Sequence, residues 1–594
     1  MRNEIDIKYT WRLEDIYPTI NEWNVDFNKV KLLENNIIKY KNMLSNSSKT
    51  LAECLNAYSY LLALTDQIYM YAKMKKDEDN NNTFYRSLTD KAIRLYTEVA
   101  SKVSFVASEI LNIPKELLST YISTNKELYK YKQFILEIIR CKNYSLSTEE
   151  EKLLSLLIDF SNTPKDIFST FNNTGIKFDT IECENGDQIE ISSGRYIKLL
   201  KSSNRKIREK VFHLFYKPYS IQKNTFATIL ISSIKKDNFF SNARKFNSSL
   251  EASLYRDNIN INVYNNLIET VNNNLHIFHR YVNLRKNLLA VDKLHMYDLY
   301  LPLVKYSHEN IHYENAISLI KKALTPLGTE YISTINECFK SRWIDVLENQ
   351  YKTSGAYSWC SYNTHPYILL NYQGTLNDVF TLAHEIGHSL HSLYTNKEQP
   401  YVNSKYKVFI GEIASTVNEL LLINYMINSS TNKEEKKYIL YFYLEKFRGL
   451  VFRQVMFSEF EKIIHTRIEN NNTLTSETLC NIYHELNEKY FGKDIEIDND
   501  IDLEWSMVPH FYNSFYVYKY ATSFFAAISI SEQILNNRDN SILKKYLEFL
   551  SSGNSINPTE LLKHIGIDIL STDYIKDGLN LFNKILNDFE NMVK

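Results

Sequence analysis

The chain of 594 residues is 44% hydrophobic and 23% charged, the balance of a soluble globular protein that can bury a large core. Its formal net charge is −1, with both signs mixed along the chain, so no basic stripe is available for a phosphate backbone and nucleic acid is not expected as a partner. Only 13 glycines and 10 prolines punctuate it, which predicts long helices and few tight turns.

The N-terminal stretch MRNEIDIKYTWRLEDIYPTINEW carries acidic residues and no apolar core of the kind a secretory leader needs. The six cysteines are dispersed without a C-x-x-C pair, and reduced thiols are expected. Apolar runs such as 524–530 fall far short of the roughly 18 residues of a membrane span, so no membrane association and a cytoplasmic location are expected.

Apolar residues at three- and four-residue spacing recur along most of the chain and predict helix after helix. The run KKDEDNNN (75–82) reads as a solvated helix end or loop. Two segments break the pattern. IKFDTIECENGDQIEIS (176–192) alternates apolar residues around Asn185-Gly186, a type I′ hairpin signal. A boundary follows near residue 195. It divides an N-terminal helical lobe, 1–195, ending in the hairpin, from a second region, 196–594. The other break is SGAYSWCSYNTHPYILLNYQG (354–374), where Tyr367–Leu370 reads as a short strand, suited to align an extended peptide by main-chain bonds. The fold class is mainly α with a small β-sheet beside the segment that follows.

That segment, LAHEIGHSLHSLY (382–394), contains His384-Glu385-Ile386-Gly387-His388, the pattern H-E-x-x-H. Thr375 or Asn377 is placed to cap its helix. On a helical wheel Val379, Leu382, Ala383, Ile386, Leu390 and Leu393 share one arc. His384 and His388 lie nearly opposite, about 40° apart, so they can reach one metal ion from adjacent turns. Glu385 points to the flank, within reach of a water on that ion, and Gly387 is expected to leave room above the site. A catalytic zinc takes three protein ligands and keeps a position for water. His391 is on the same face but lies about 10.5 Å along the axis from His384, too far for a shared ion. The better third ligand is in the next predicted helix, GEIASTVNELLL (411–422), where Glu412, Ser415, Thr416 and Glu419 share a face. Glu412 can ligate, and Glu419 can accept the other N–H of a ligand histidine. The segment 488–502 reads as a polar connector. Further on, VPHFYNSFYVYKYATSFFAA (508–527) sets His510 ahead of Tyr512, Tyr516 and Tyr520 at four-residue spacing, with Tyr518 between. Phenols and an imidazole are donors suited to an oxyanion.

HEIGHSLHS, GEIASTVNE, SGAYSWCSYNTHPYILLNYQG, PHFYNSFYVYKYATS and the near-terminal WRLEDIYPT together resemble oligoendopeptidase F, in the thimet oligopeptidase-like family of zinc metallopeptidases. The resemblance spans nearly the whole chain. It implies a helical ellipsoid of two lobes around a deep substrate channel, with zinc at its floor. It implies one Zn2+ per chain held by His384, His388 and Glu412, with Glu385 as general base and Glu419 supporting a ligand. It sets His510, with Tyr516 and Tyr520 favoured among the tyrosines, in the block that binds substrate and the tetrahedral intermediate. The expected activity is hydrolysis of internal bonds in short unstructured peptides, with turnover of such peptides as the role. A zinc carboxypeptidase or dipeptidase would share H-E-x-x-H but not cleave doubly blocked peptides. A helical peptide-binding protein without chemistry, or a scaffold with a chance motif, would show no metal-dependent turnover.

Overall fold

The computed structural model describes every residue except Met1 and residues 183–185, 306–309 and 537–540. Helices dominate. Among the described residues the strands are short: β1 (Thr180–Glu182), β2 (Gln188–Glu190), β3 (Leu294–His295), β4 (Ile344–Leu347), β5 (Tyr357–Trp359), β6 (Tyr367–Tyr372) and β7 (Ile495–Glu496). The chain divides into two compact units, each discontinuous in sequence. The first comprises Met1–Asn143, His308–Asn428 and Ala527–Ile567; the second comprises Tyr144–Ser307, Ser429–Ala526 and Asp568–Lys594. Residues 144–195, expected with the N-terminal lobe, therefore group with the second unit.

In the first unit the 31-residue helix Ser48–Glu78 begins at Ser47, whose hydroxyl accepts the Thr50 N–H at 3.1 Å, satisfying one of the free donors of a helix start. It packs with helices Ile20–Ile37 and Thr83–Val103. Trp23 is fully buried between them and donates its indole N–H to the Ile68 carbonyl at 3.0 Å. The apolar core continues onto Tyr367 and Leu369 of β6. Near the end of the 48–78 helix, Asp77 is buried and accepts the hydroxyls of Thr353 at 2.7 Å and Tyr357 at 2.9 Å. The segment expected as a solvated helix end thus anchors β5.

The sheet of this unit runs β4-β6-β5, with β4 parallel and β5 antiparallel to β6. The nearly continuous apolar run YILLNY is what a middle strand covered on both faces requires. Tyr367–Leu370 is consequently not an edge. Its main-chain groups pair with two neighbours, and the edges of this sheet are β4 and β5. Helix Leu376–Glu398 packs on β5 and β6.

In the second unit β1 and β2 pair antiparallel, Ile181 opposite Ile189, as the alternation predicts. Gly186 has φ +81°, while Asn185 of the expected turn lies outside the described residues. β3 pairs in parallel with β7, inside the segment expected as a polar connector. Beyond β7, alternate aspartates pair with three histidines from different elements: Asp498 with His295 (2.8 Å), Asp500 with His213 (2.8 Å) and Asp502 with His484 (2.9 Å). Those carboxylates fasten the segment to its surroundings, so it is structural rather than a free linker.

Candidate metal centre

The helix carrying H-E-x-x-H runs Leu376–Glu398. Its capping box is complete: the Thr375 hydroxyl accepts the Asp378 N–H, and Asp378 accepts the Thr375 N–H at 2.9 Å. Val379, Leu382, Ala383, Ile386 and Leu390 are buried as the wheel predicts, while Leu393 is half-buried. The opposite face is not open either. Glu385 is only 7% exposed, and Gly387, Ser389 and His391 are buried. The helix is enclosed because β5 and β6 cover one side and a second helix crosses another.

That second helix is Val408–Ser429. Gly387 is the crossing point: a Cβ there would stand 2.5 Å from Ser415 Cα and 2.9 Å from the Ala414 carbonyl oxygen. The glycine admits a helix backbone; the expected free room above the site is filled by it. Asn418 sets the register, donating its amide to the Ala383 carbonyl at 3.1 Å and accepting the Tyr331 hydroxyl at 3.0 Å. The crossing falls between the two histidines on one helix and between the two glutamates on the other.

The donor atoms converge as a result. His384 Nε2 and His388 Nε2 are 3.1 Å apart, and His384 Nε2 is 3.7 Å from Glu412 Oε2. Potential ligand atoms of His384, His388 and Glu412 all lie within 4.8 Å of one another. Three ligands at the usual zinc distances in a tetrahedral array stand roughly 3.3 Å apart, so the set matches a zinc ion. Glu419 Oε1 is 2.6 Å from His384 Nδ1. With Nδ1–H donating to that carboxylate, Nε2 keeps its lone pair for the metal side. Burial opposes charging of His384, yet Glu419, with Glu385 and Glu412 adding, raises its pKa. Burial, reinforced by positive charge on His384, drives His388 well below the usual range, leaving a neutral imidazole. Burial, against the pull of His384 and reinforced by Glu412 and Glu419, pushes the Glu385 carboxyl up to about 7.

His391 is not part of this set. It is fully buried and stacked on Tyr406, ring centroids 3.7 Å apart and 6° from parallel. Burial lowers its pKa to about 3, so it packs as a neutral aromatic ring. β5 is joined to the motif helix by Ser358 and Ser389, whose hydroxyls are 2.8 Å apart. Cys360 lies near this end of the sheet, its thiol pushed up to about 12 by burial.

The second unit holds the His510 segment. Tyr512 and Tyr518 are core residues, Tyr512 stacked on Phe168 at 4.3 Å. Tyr516 and Tyr520 are half-buried beside His510: the Tyr520 hydroxyl is 3.3 Å from His510 Nε2, and the Tyr516 ring lies 5.9 Å from the imidazole, 23° from parallel. Burial, aided by the positive charge of Arg453, lowers the His510 pKa. Asn418, Ser389 and Asp77 were not singled out by sequence, because each acts through a partner on another element.

Comparison with known proteins finds relatives along the whole chain. Residues 198–581 match peptidase family M3, and residues 109–178 match the family described as Oligopeptidase F. The chain is 43% identical over 592 residues to Oligopeptidase PepF of Bacillus subtilis, covering all of this chain and 88% of that protein. It is 36% identical over 595 residues to an oligoendopeptidase F homolog of Lactococcus lactis, covering 100% and 98%. The crystal structure of oligoendopeptidase-F from Enterococcus faecium superposes with a TM-score of 0.75 at 34% identity, covering 96% of this chain and 99% of that one. The chain belongs to peptidase family M3, in its oligopeptidase F branch.

Proposed function

We propose that the chain is a zinc-dependent oligoendopeptidase that hydrolyses internal bonds of short unstructured peptides. The observation carrying this reading is the convergence of His384, His388 and Glu412 donors around one point, with Glu385 buried in the same helix and within electrostatic reach of His384 and Glu412. His384, His388 and Glu412 would hold one zinc ion per chain. Glu419 keeps the His384 ring turned so that Nε2 faces the metal. When bound, zinc supplies the Lewis acidity that sharpens the attacking water and polarises the scissile carbonyl. Glu385 takes the proton from the attacking water and returns it to the leaving amine. His510, Tyr516 and Tyr520 donate to the developing oxyanion, where one lost donor lowers turnover by roughly 10²–10³. The edge strand β5 takes the peptide backbone by strand addition.

The family resemblance supports a preference for extended peptides over folded proteins. It also supports 196–594 as the region carrying the chemistry, in line with the match over 198–581. The role that fits is turnover of short peptides in the cytoplasm.

The test is digestion of an internally quenched peptide of about 10 residues blocked at both ends, a length suited to extended backbone recognition. Cleavage should require zinc, stop with a chelator, return on re-addition and vanish in Glu385→Gln. Cleavage only of peptides with a free terminus would establish a carboxypeptidase or dipeptidase instead. Chelator-insensitive cleavage would refute the metal mechanism.

A further inference from the structure

Between His510 and Tyr516 the chain reverses, and a buried carboxylate stands at the reversal. Phe515 has φ +55°, in the left-handed region where a side chain such as phenylalanine is disfavoured by about 1–2 kcal/mol. Its backbone N–H donates to Glu461 Oε1 at 2.6 Å. Glu461 belongs to helix Arg453–Glu469 and is fully buried, and its second oxygen has no hydrogen-bond partner. A buried carboxylate is expensive to keep, and one backbone N–H is a small return for it unless the position of that N–H matters.

Other contacts fix Phe515 and its neighbours. The Phe515 ring lies 4.5 Å from the His465 ring and 5.8 Å, edge-on, from Tyr264. His465 donates Nδ1–H to the Glu461 carbonyl at 2.9 Å, with Nε2 3.6 Å from Asp237. Asp237 accepts the Ser514 hydroxyl, and the Ser514 carbonyl accepts the Ser253 hydroxyl at 2.9 Å. Lys519 donates to Asp257 at 2.5 Å. Successive residues 514 and 515 are thus held by acidic side chains from two different helices. The next residue is Tyr516, whose ring is returned alongside His510, and Tyr520 follows one turn into the helix Tyr518–Asn536.

We propose that Glu461 is a positioning residue for the hydrolytic reaction: by holding the Phe515 N–H it fixes the left-handed reversal that sets Tyr516 and Tyr520 against His510. This rests on the reading of those three side chains as the oxyanion-binding block. The glutamate touches no substrate. Its function needs an acceptor oxygen at one point rather than a negative charge, so glutamine replaces it and alanine does not. Burial, opposed by His465, pushes the Glu461 carboxyl up to about 7, and either protonation state presents an oxygen to the N–H.

The test measures kcat, KM and zinc content for Glu461→Ala, Glu461→Gln, Tyr516→Phe and Tyr520→Phe on the blocked peptide. Glu461→Ala should lower kcat by about 10- to 100-fold, the effect of displacing catalytic donors by about an ångström. KM should change by less than about threefold and zinc content not at all, since uniform binding and the metal set are untouched. Glu461→Gln should stay within about threefold of the wild-type kcat. Added to Tyr520→Phe, Glu461→Ala should cost less than it does alone, because the two act through one unit. If Glu461→Ala does not fold, Glu461→Asp, which withdraws the carboxylate by about 1.5 Å, makes the same test. Wild-type kcat in folded Glu461→Ala or Glu461→Asp overturns the proposal, as does Glu461→Gln falling as far as the alanine variant. Unchanged turnover in both tyrosine variants would instead remove the oxyanion reading on which it stands.

Discussion

Replacing Gly387 by alanine opens the metal site from behind. The added Cβ would lie 2.5 Å from Ser415 Cα and 3.0 Å from Ser415 N, both backbone atoms that no rotamer change can move. Carbon atoms settle at about 3.5–4.0 Å, so the 408–429 helix must retreat by about 1 Å. Ser415 lies between Glu412 and Glu419, and both carboxylates retreat with it. Metal–ligand distances tolerate about ±0.2 Å, a fraction of that displacement. Losing the support of a ligand costs about 10- to 100-fold in metal affinity, and here Glu412 is displaced as well as Glu419, so zinc affinity should fall at least about 100-fold. Folding is less affected. Overpacking costs about 1–3 kcal/mol, while alanine returns about 1 kcal/mol of helix propensity. Zinc competition against a chromophoric chelator, alongside thermal unfolding of the metal-free protein, separates the two effects. A folded Gly387→Ala that binds zinc as the wild type does would refute the crossing as the device that places Glu412.

His391→Phe should keep its zinc and most of its turnover, because the histidine is a neutral buried ring stacked on Tyr406; loss of metal in this variant would return His391 to the ligand set. Tyr520→Phe should lower kcat more than it alters peptide affinity, read from steady-state kinetics on the blocked peptide, and an unchanged kcat would remove Tyr520 from the chemistry. In the second unit, burial opposes ionisation of Glu445, yet Arg448 and Arg285 hold its carboxyl at about 2. A depressed folded-state pKa contributes stability above the unfolded carboxylate range, lost as pH falls toward 2. The stability gap between wild type and Glu445→Gln, roughly 3 kcal/mol near neutrality, should hold from pH 7 to 5 and shrink below about 4. Denaturant unfolding at several pH values reads it, and a gap that widened on acidification would contradict the ion-pair account.

The convergence of the candidate metal ligands was legible in sequence because its ingredients are local. His384 and His388 are one turn apart, Glu412 and Glu419 two turns apart, and helical periodicity alone states which side chains share a face. The hairpin of β1 and β2 was legible for the same reason, since alternation over a few residues carries it. What escaped depends on partners remote in sequence. Tyr367–Leu370 was recognised as a strand, but its place in the middle of the sheet depends on β4 and β5, which no local pattern orders. Asp77 reads as part of an acidic, asparagine-rich run until Thr353 and Tyr357 are brought onto it. Gly387 looked like free space because the backbone it admits belongs to residues 414 and 415. Phe515 carries no sign in sequence of a left-handed backbone, and its acceptor, Glu461, is 54 residues away. The aspartates at 498, 500 and 502 read as part of a polar connector for the same reason: their histidines come from other elements.

The account depends most on His384, His388 and Glu412 binding one ion while Glu385 remains free to move a proton. Metal content by plasma emission after equilibrium dialysis against zinc tests this directly. The wild type and Glu385→Gln should each retain one zinc per chain, with cleavage of the blocked peptide only in the former, and Glu412→Ala should lose its metal. Wild-type zinc affinity in Glu412→Ala, or full turnover in Glu385→Gln, would contradict it.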